Sequence, residues 1–162
     1  MAKSSWPRTS SQRLLFWAAL LCYLSMIFYL IIRWGSLPEE IPTHFGFSGQ
    51  PDSWGGKSSL LVLPIIGGLL YGMMAVIERF PSVWNTPAGS AEERDALLPL
   101  TRTLLLWDTL VLNAVFCYLT VRSAQARPLS GFFLPATMLG LFGSIVWYLL
   151  AVKRTRAGQR AK

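Results

Sequence analysis

Four uninterrupted apolar stretches constrain this chain more than any other feature. Residues 14–32 (LLFWAALLCYLSMIFYLII), 59–77 (SLLVLPIIGGLLYGMMAVI), 100–121 and 131–152 are each close to the ~20 residues that cross a hydrocarbon core about 30 Å thick. Backbone amides and carbonyls find no water in lipid and must be satisfied within the segment, so these stretches are expected as helices. The expected fold is an all-α integral membrane protein, a single four-helix domain over residues 1–162. What remains is an outer loop at 37–57, an inner loop at 78–98 and a basic tail at 153–162. Composition agrees: 52% of residues are hydrophobic and only 14% charged, against about a quarter charged in a soluble domain. The first stretch follows Lys3, Arg8 and Arg13, as a signal peptide would. Its length, its aromatic content and its lack of a small-residue cleavage pattern indicate a retained span.

The basic residues give the orientation. With the N-terminus in the cytoplasm the inner side carries Lys3, Arg8, Arg13, Arg79, Arg94, Arg102, Lys153, Arg154, Arg156, Arg160 and Lys162. The outer side carries Arg33, Lys57, Arg122 and Arg127, so the count is 11 against 4, and both termini are expected in the cytoplasm. The net charge of +7 is therefore a topology signal rather than a nucleic-acid footprint, because the cations cluster at span ends and not on one patch. The lipid bilayer is the first partner, and a bacterial cell membrane is the expected location. The tail KRTRAGQRAK would lie against anionic headgroups.

The outer loop, Leu37 to Lys57, is polar and glycine-rich. Pro38 and Pro42 stiffen its start, Gly46, Gly49, Gly55 and Gly56 supply permissive turn positions, and GQPDSWG reads as a proline-initiated turn in which Asp52 bonds backbone amides two residues on. Ile41, Phe45 and Phe47 would lie on the bilayer or cap the bundle, making an ordered lid that Lys57 closes. In the inner loop, Ser90 is a candidate N-cap, with Glu93 three residues on, for a short interfacial helix over Ala91 to Leu97. Pro99 falls near the start of the third span, where its missing amide costs little. Gly68 with Gly72, and Gly140 with Ser144, have the small-xxx-small spacing that lets helix backbones approach, within the chain or in a homo-oligomer. Cys22 and Cys117 lie in apolar runs at depths about 10 Å apart, too far for a disulfide.

Few residues are candidates for chemistry. Asp108 sits about eight residues into the third span, and an intramembrane carboxylate is a functional candidate by default. The structural alternative is a hydrogen bond to a neighbouring helix, for which Tyr23 and Ser25 of the first span are at comparable depth. Asn113 is a second intramembrane polar residue, about 140 degrees further round the helix. His44 is the chain's only histidine, with Glu39, Glu40 and Asp52 nearby. Its spacing matches no metalloprotease helix and its surroundings lack the ligands of a structural zinc site, so no metal or cofactor is expected. WGGKS resembles the end of a phosphate-binding loop but lacks the upstream glycine spacing.

The loop LPEEIPTHFGFSGQPDSWGGK resembles LPxxIPxHF…GxPDxWGxK, the signature of a domain of unknown function found at the front of SdpI-type membrane proteins. The matching residues are Leu37, Pro38, Ile41, Pro42, His44, Phe45, Gly49, Pro51, Asp52, Trp54, Gly55 and Lys57. Gly46 stands where many members have asparagine, and Asn85 with Pro87 looks like the family's inner-loop Asn-x-Pro element. The resemblance covers the first two spans and their loops, and it implies binding of a secreted peptide in toxin immunity and signalling.

Taken together, the expected role is a non-enzymatic membrane protein that binds or senses a peptide or other extracytoplasmic factor. His44, Phe45, Phe47, Asp52, Trp54 and Lys57 would make the ligand or partner contacts. Two alternatives remain open: an outer-face, metal-assisted hydrolase using His44, and a transporter or accessory subunit, bound to a membrane-protein partner, that uses Asp108.

Overall fold

The computed structural model describes residues 7–84 and 86–160, the last without its side chain; Lys3, Asn85, Lys162 and the Arg160 side chain lie outside the described residues. Helix α1 runs over Ser10–Arg33, α2 over Val62–Ile77, α3 over Ala91–Ala124 and α4 over Phe133–Arg160. All four are long and apolar enough to cross a membrane once the turn Lys57–Leu61 is counted with α2. The chain is a multi-pass membrane protein by that measure. Leu139, Ile32 and Leu69 stand 75%, 76% and 69% exposed on the helices, a surface suited to lipid and not to water.

Each helix begins where local chemistry lets it. Helix α1 starts four residues before the apolar run, because Thr9 and Gln12 form a capping box: the Gln12 N–H donates to Thr9 Oγ1 at 3.2 Å and the Thr9 N–H to Gln12 Oε1 at 3.1 Å, satisfying two of the amides a helix start leaves open. Ser90 caps α3 by accepting from the Glu93 N–H at 3.1 Å, while Glu93 accepts from the Gly89 N–H at 2.7 Å. The interfacial helix expected over Ala91 to Leu97 and the third span are one 34-residue helix with Pro99 inside it. Pro99 lies in the third turn, where the ring removes one bond, and its own carbonyl accepts from Gln12 and Thr103, each at 3.0 Å. Residues after Val152 continue α4 instead of forming a separate tail.

Helix α3 is the centre of the bundle: α1 and α2 pack on it, and α4 packs chiefly on it. Glycines set the close approaches, but not all those expected. A Cβ on Gly68 would come within 2.6 Å of the Tyr23 hydroxyl, one on Gly67 within 3.4 Å of Asn113 and Phe116, and one on Gly140 within 3.2 Å of Val111. Gly72 faces open space, so the tight α2 contact falls at Gly67 and Gly68 and not at a Gly68–Gly72 pair.

The outer loop corrects the all-α expectation. It is a two-stranded antiparallel hairpin, β1 over Glu40–Phe45 and β2 over Pro51–Gly56. An isolated hairpin of this size is marginal; here Ile41, 1% exposed, joins Leu30, Leu37, Leu60 and Ala124 in a buried cluster at this end of the bundle, so packing supplies what pairing does not.

Helix α3 ends with Ala126 at φ 50°; the Ala126 N–H bonds the Ser123 carbonyl and the Arg127 N–H the Arg122 carbonyl, at 3.0 and 3.1 Å. This is the left-handed stop usually filled by glycine. Ala126→Gly relieves that conformation at some cost in unfolded-chain entropy, and should stabilise the protein by about 0.5–1 kcal/mol, read as a small rise in the thermal midpoint in detergent.

Candidate functional site at the hairpin end

The hairpin register pairs Glu40 with Gly56, Ile41 with Gly55 and Pro42 with Trp54, then slips on either side of His44. Such irregularities re-aim side chains. Here they bring His44 Nδ1 within 2.6 Å of Asp52 Oδ1. Asp52 was expected to bond backbone amides ahead of it; it bonds the histidine instead, and its other oxygen lies 3.1 Å from where a Cβ on Gly46 would stand. Glycine at 46 therefore leaves room for the carboxylate to lean towards His44. Lys57 Nζ donates to Glu39 Oε1 at 2.7 Å and the Lys57 N–H to the Glu39 carbonyl at 3.0 Å, closing the hairpin at its base.

The tip is fastened as well. The turn bonds itself through Gly46 N–H to the Gln50 carbonyl and Gly49 N–H to the Gly46 carbonyl. The Leu129 N–H then donates to the Gly49 carbonyl at 2.8 Å. Gly49 has φ +77°, and a Cβ there would lie 3.1 Å from the Leu129 carbonyl oxygen, so glycine is needed for both conformation and fit. The receiving connection between α3 and α4 is itself braced: the Arg122 guanidinium donates to the Pro128 carbonyl, and the Ser130 N–H to the Tyr118 hydroxyl at 2.9 Å.

Between this fastened hairpin and the helix ends lies a cleft of about 460 Å³. Strand β1 contributes Ile41 to Phe45, the α2 end contributes Leu60 and Leu63, and Leu119, Ser123, Leu129 and Phe133 complete the wall. Of the sequence candidates, His44 and Phe45 line it. Asp52 touches it through His44. Phe47 and Trp54, 95% and 52% exposed, point elsewhere, and Lys57 serves the hairpin base. Among the described residues no three His, Cys, Asp or Glu side chains gather as a metal ion would require.

Asp108 belongs to a different place. The hydroxyl of Ser144 on α4 lies 2.7 Å from its Oδ1, so its partner is neither Tyr23 nor Ser25. Asn113 is buried among α1, α2 and α3, donates to the Thr109 carbonyl at 2.9 Å, and has a buried Oδ1 with no protein partner among the described residues.

A second polar centre, not singled out from the sequence, sits at the opposite end. Arg8 meets Glu78 with both its Nε and a terminal nitrogen, Arg102 Nε is 3.5 Å from the same carboxylate, and the Arg102 guanidinium lies 5.5 Å from the centre of the Trp84 ring. Arg8 also stacks over Phe16 at 3.9 Å. Trp84 is 7% exposed and donates to the Ile77 carbonyl at 2.9 Å. Pro87, the part of the inner-loop element that is described, accepts through its carbonyl from Arg156. No local pattern marks this centre: the Arg8–Glu78 contact joins residues 70 positions apart, and the Arg102–Glu78 contact crosses from the end of α2 to α3.

Residues 20–68 match the family described as "Domain of unknown function (DUF1648)", a stretch that takes in the latter part of α1, the hairpin and the start of α2. An uncharacterized protein of Archaeoglobus fulgidus is 30% identical over 90 residues, 51% of this chain and 49% of that protein. The chain thus spans about half the length of the relative it matches. No solved structure matches it.

Proposed function

We propose that this chain is a non-enzymatic membrane receptor that binds an extracytoplasmic factor in the cleft beneath the β1–β2 hairpin. The observation that carries this reading is the cleft itself, roofed by β1 with His44 held by Asp52 on its wall. The proposal has the hairpin on the outer face, in keeping with the basic-residue count, and both termini in the cytoplasm. A place among SdpI-type proteins, with a part in toxin immunity or signalling in a bacterial membrane, is the narrower form of the same proposal. It draws support from the hairpin signature and from the match over residues 20–68.

The other readings have less behind them. A hydrolase could use the His44–Asp52 pair as a general base, yet with two side chains the pair falls short of a catalytic zinc set. Asp108 hydrogen-bonded to Ser144 suits helix-to-helix adhesion better than a transport path.

The experiment compares the protein, gently extracted from its own membranes, with a His44→Ala/Asp52→Asn double variant by native mass spectrometry. His44 and Asp52 side chains are 69% and 49% exposed, so the pair contributes little to stability and the variant should fold. Loss of a polar ligand contact should lower occupancy of a bound factor about tenfold. Identical adducts on both proteins at matched expression would remove His44 from the site.

A further inference from the structure

We infer that the occupant of the cleft is a membrane-borne amphiphile: one apolar chain ending in an uncharged hydrogen-bonding head, drawn from the leaflet on the hairpin side. This rests on the binding reading above and narrows its ligand. The cleft, at about 460 Å³, has the volume of a small-molecule site. Its wall is chiefly leucine and phenylalanine, with Val62, 51% exposed on the membrane-facing surface, among the lining residues; the cleft is therefore continuous with that surface.

The polar groups in it are few and unspent. Ser123 is 6% exposed, lines the cleft, and its hydroxyl makes no hydrogen bond to protein among the described residues. The Ser59 hydroxyl, on a half-buried residue that also lines the cleft, likewise bonds no protein group among the described residues, and the His44 ring is held through Nδ1. Both hydroxyls are open to the cleft rather than sealed in protein, so the head group of a ligand in the cleft can pair with them. In the groove of about 310 Å³ along α3 and α4, by contrast, Thr103, Trp107 and Ser144 already donate to Pro99, Gly140 and Asp108.

An amphiphile fits better than a peptide segment. Each peptide residue brings a donor and an acceptor that must be paired when buried. Strand β1 pairs with β2 along one edge only, and the helical walls have their backbone groups bonded within the helices, so most of the lining offers side-chain partners alone: two hydroxyls and one imidazole. That is enough for one head group and too little for a backbone.

The test uses the full chain in phosphatidylcholine–phosphatidylglycerol liposomes with a diazirine-bearing octadecanol, with labelled residues mapped by mass spectrometry. Labelling should concentrate at Leu60, Leu63 and Leu119, severalfold above Leu139 and Leu149 on the lipid face of α4. Ser123→Trp should abolish cleft labelling and leave α4 labelling intact. Ser123→Ala, which should fold without difficulty, should weaken competition by unlabelled octadecanol about two- to tenfold, one hydrogen bond's worth, and leave competition by octadecene unchanged. Uniform labelling of cleft and lipid face, or an identical octadecanol response in Ser123→Ala, would overturn the amphiphile. With Leu119→Cys, shielding from alkylation by a synthetic leucine–lysine peptide but not by octadecanol would overturn it while the receptor reading stood. A cleft neither labelled nor shielded would sink both.

Discussion

Replacing Glu78 with alanine should lower the heat- or detergent-induced unfolding midpoint more than any other single change at the terminal end of the bundle. The Glu78 side chain is 8% exposed and faces Arg8 and Arg102, whose side chains are 30% and 10% exposed. Removing one member of a buried ionic cluster leaves the others desolvated with less compensation, which costs about 3–5 kcal/mol. For a chain of this size that is a fall of roughly 6–20 °C. The penalty reaches three elements at once, because Arg8 precedes α1, Glu78 follows α2 and Arg102 lies on α3. Glu78→Gln keeps the shape and one acceptor and should lose less. Lys57→Ala, which breaks a pair with the 84%-exposed Glu39 side chain, should cost no more than about 0.5 kcal/mol of stability and so barely move the midpoint. Equal effects of Glu78→Ala and Lys57→Ala would mean the cluster is as well solvated as a surface pair.

The contrast between these two pairs also marks what could be read from the sequence. Spans are legible because crossing lipid demands an apolar run of fixed length, and four such runs correspond to four helices. Their ends are less so. The capping box at Thr9 and Gln12 lies in polar sequence before the run, and Pro99 looks like a helix start although its carbonyl is taken up by Gln12 and Thr103. The residues after Val152 continue the helix because Lys, Arg and Gln are good helix formers, a preference that a hydropathy reading ignores. The hairpin was hidden for a different reason. EIPTHF carries a proline, PDSWGG has few strand formers, and the pairing depends on Ile41 being buried against Leu30 and Leu60. His44 and Asp52 were visible as candidates; their contact was not, since it depends on the register slip beside His44. The Asp108–Ser144 and Arg8–Glu78 contacts join positions far apart in the chain, which no local pattern encodes.

Gly49→Val should release the hairpin tip and empty the cleft while the helices stay as they are. Position 49 is at φ +77°, where a β-branched residue is strained by about 1–3 kcal/mol. Its Cβ would also stand 3.1 Å from the Leu129 carbonyl oxygen and 3.3 Å from the Leu129 Cβ, a backbone contact that no rotamer can relieve. The bond from the Leu129 N–H to the Gly49 carbonyl would go with it, another 0.5–1.5 kcal/mol or so. None of this touches α1 to α4, and the tip sheds the strain by detaching, so far-ultraviolet circular dichroism should be unchanged and the thermal midpoint should fall by less than in Glu78→Ala. Cleft labelling by the octadecanol probe should fall more than about tenfold, because Leu129 is both the hairpin's anchor and a wall of the cleft. Gly55→Ala is the matched control: a Cβ there meets the movable Thr43 side chain at 3.0 Å, away from the anchor. Retained labelling in Gly49→Val, with faster hydrogen exchange at Leu129 N–H proving the tip detached, would show that the cleft holds its ligand without the hairpin roof.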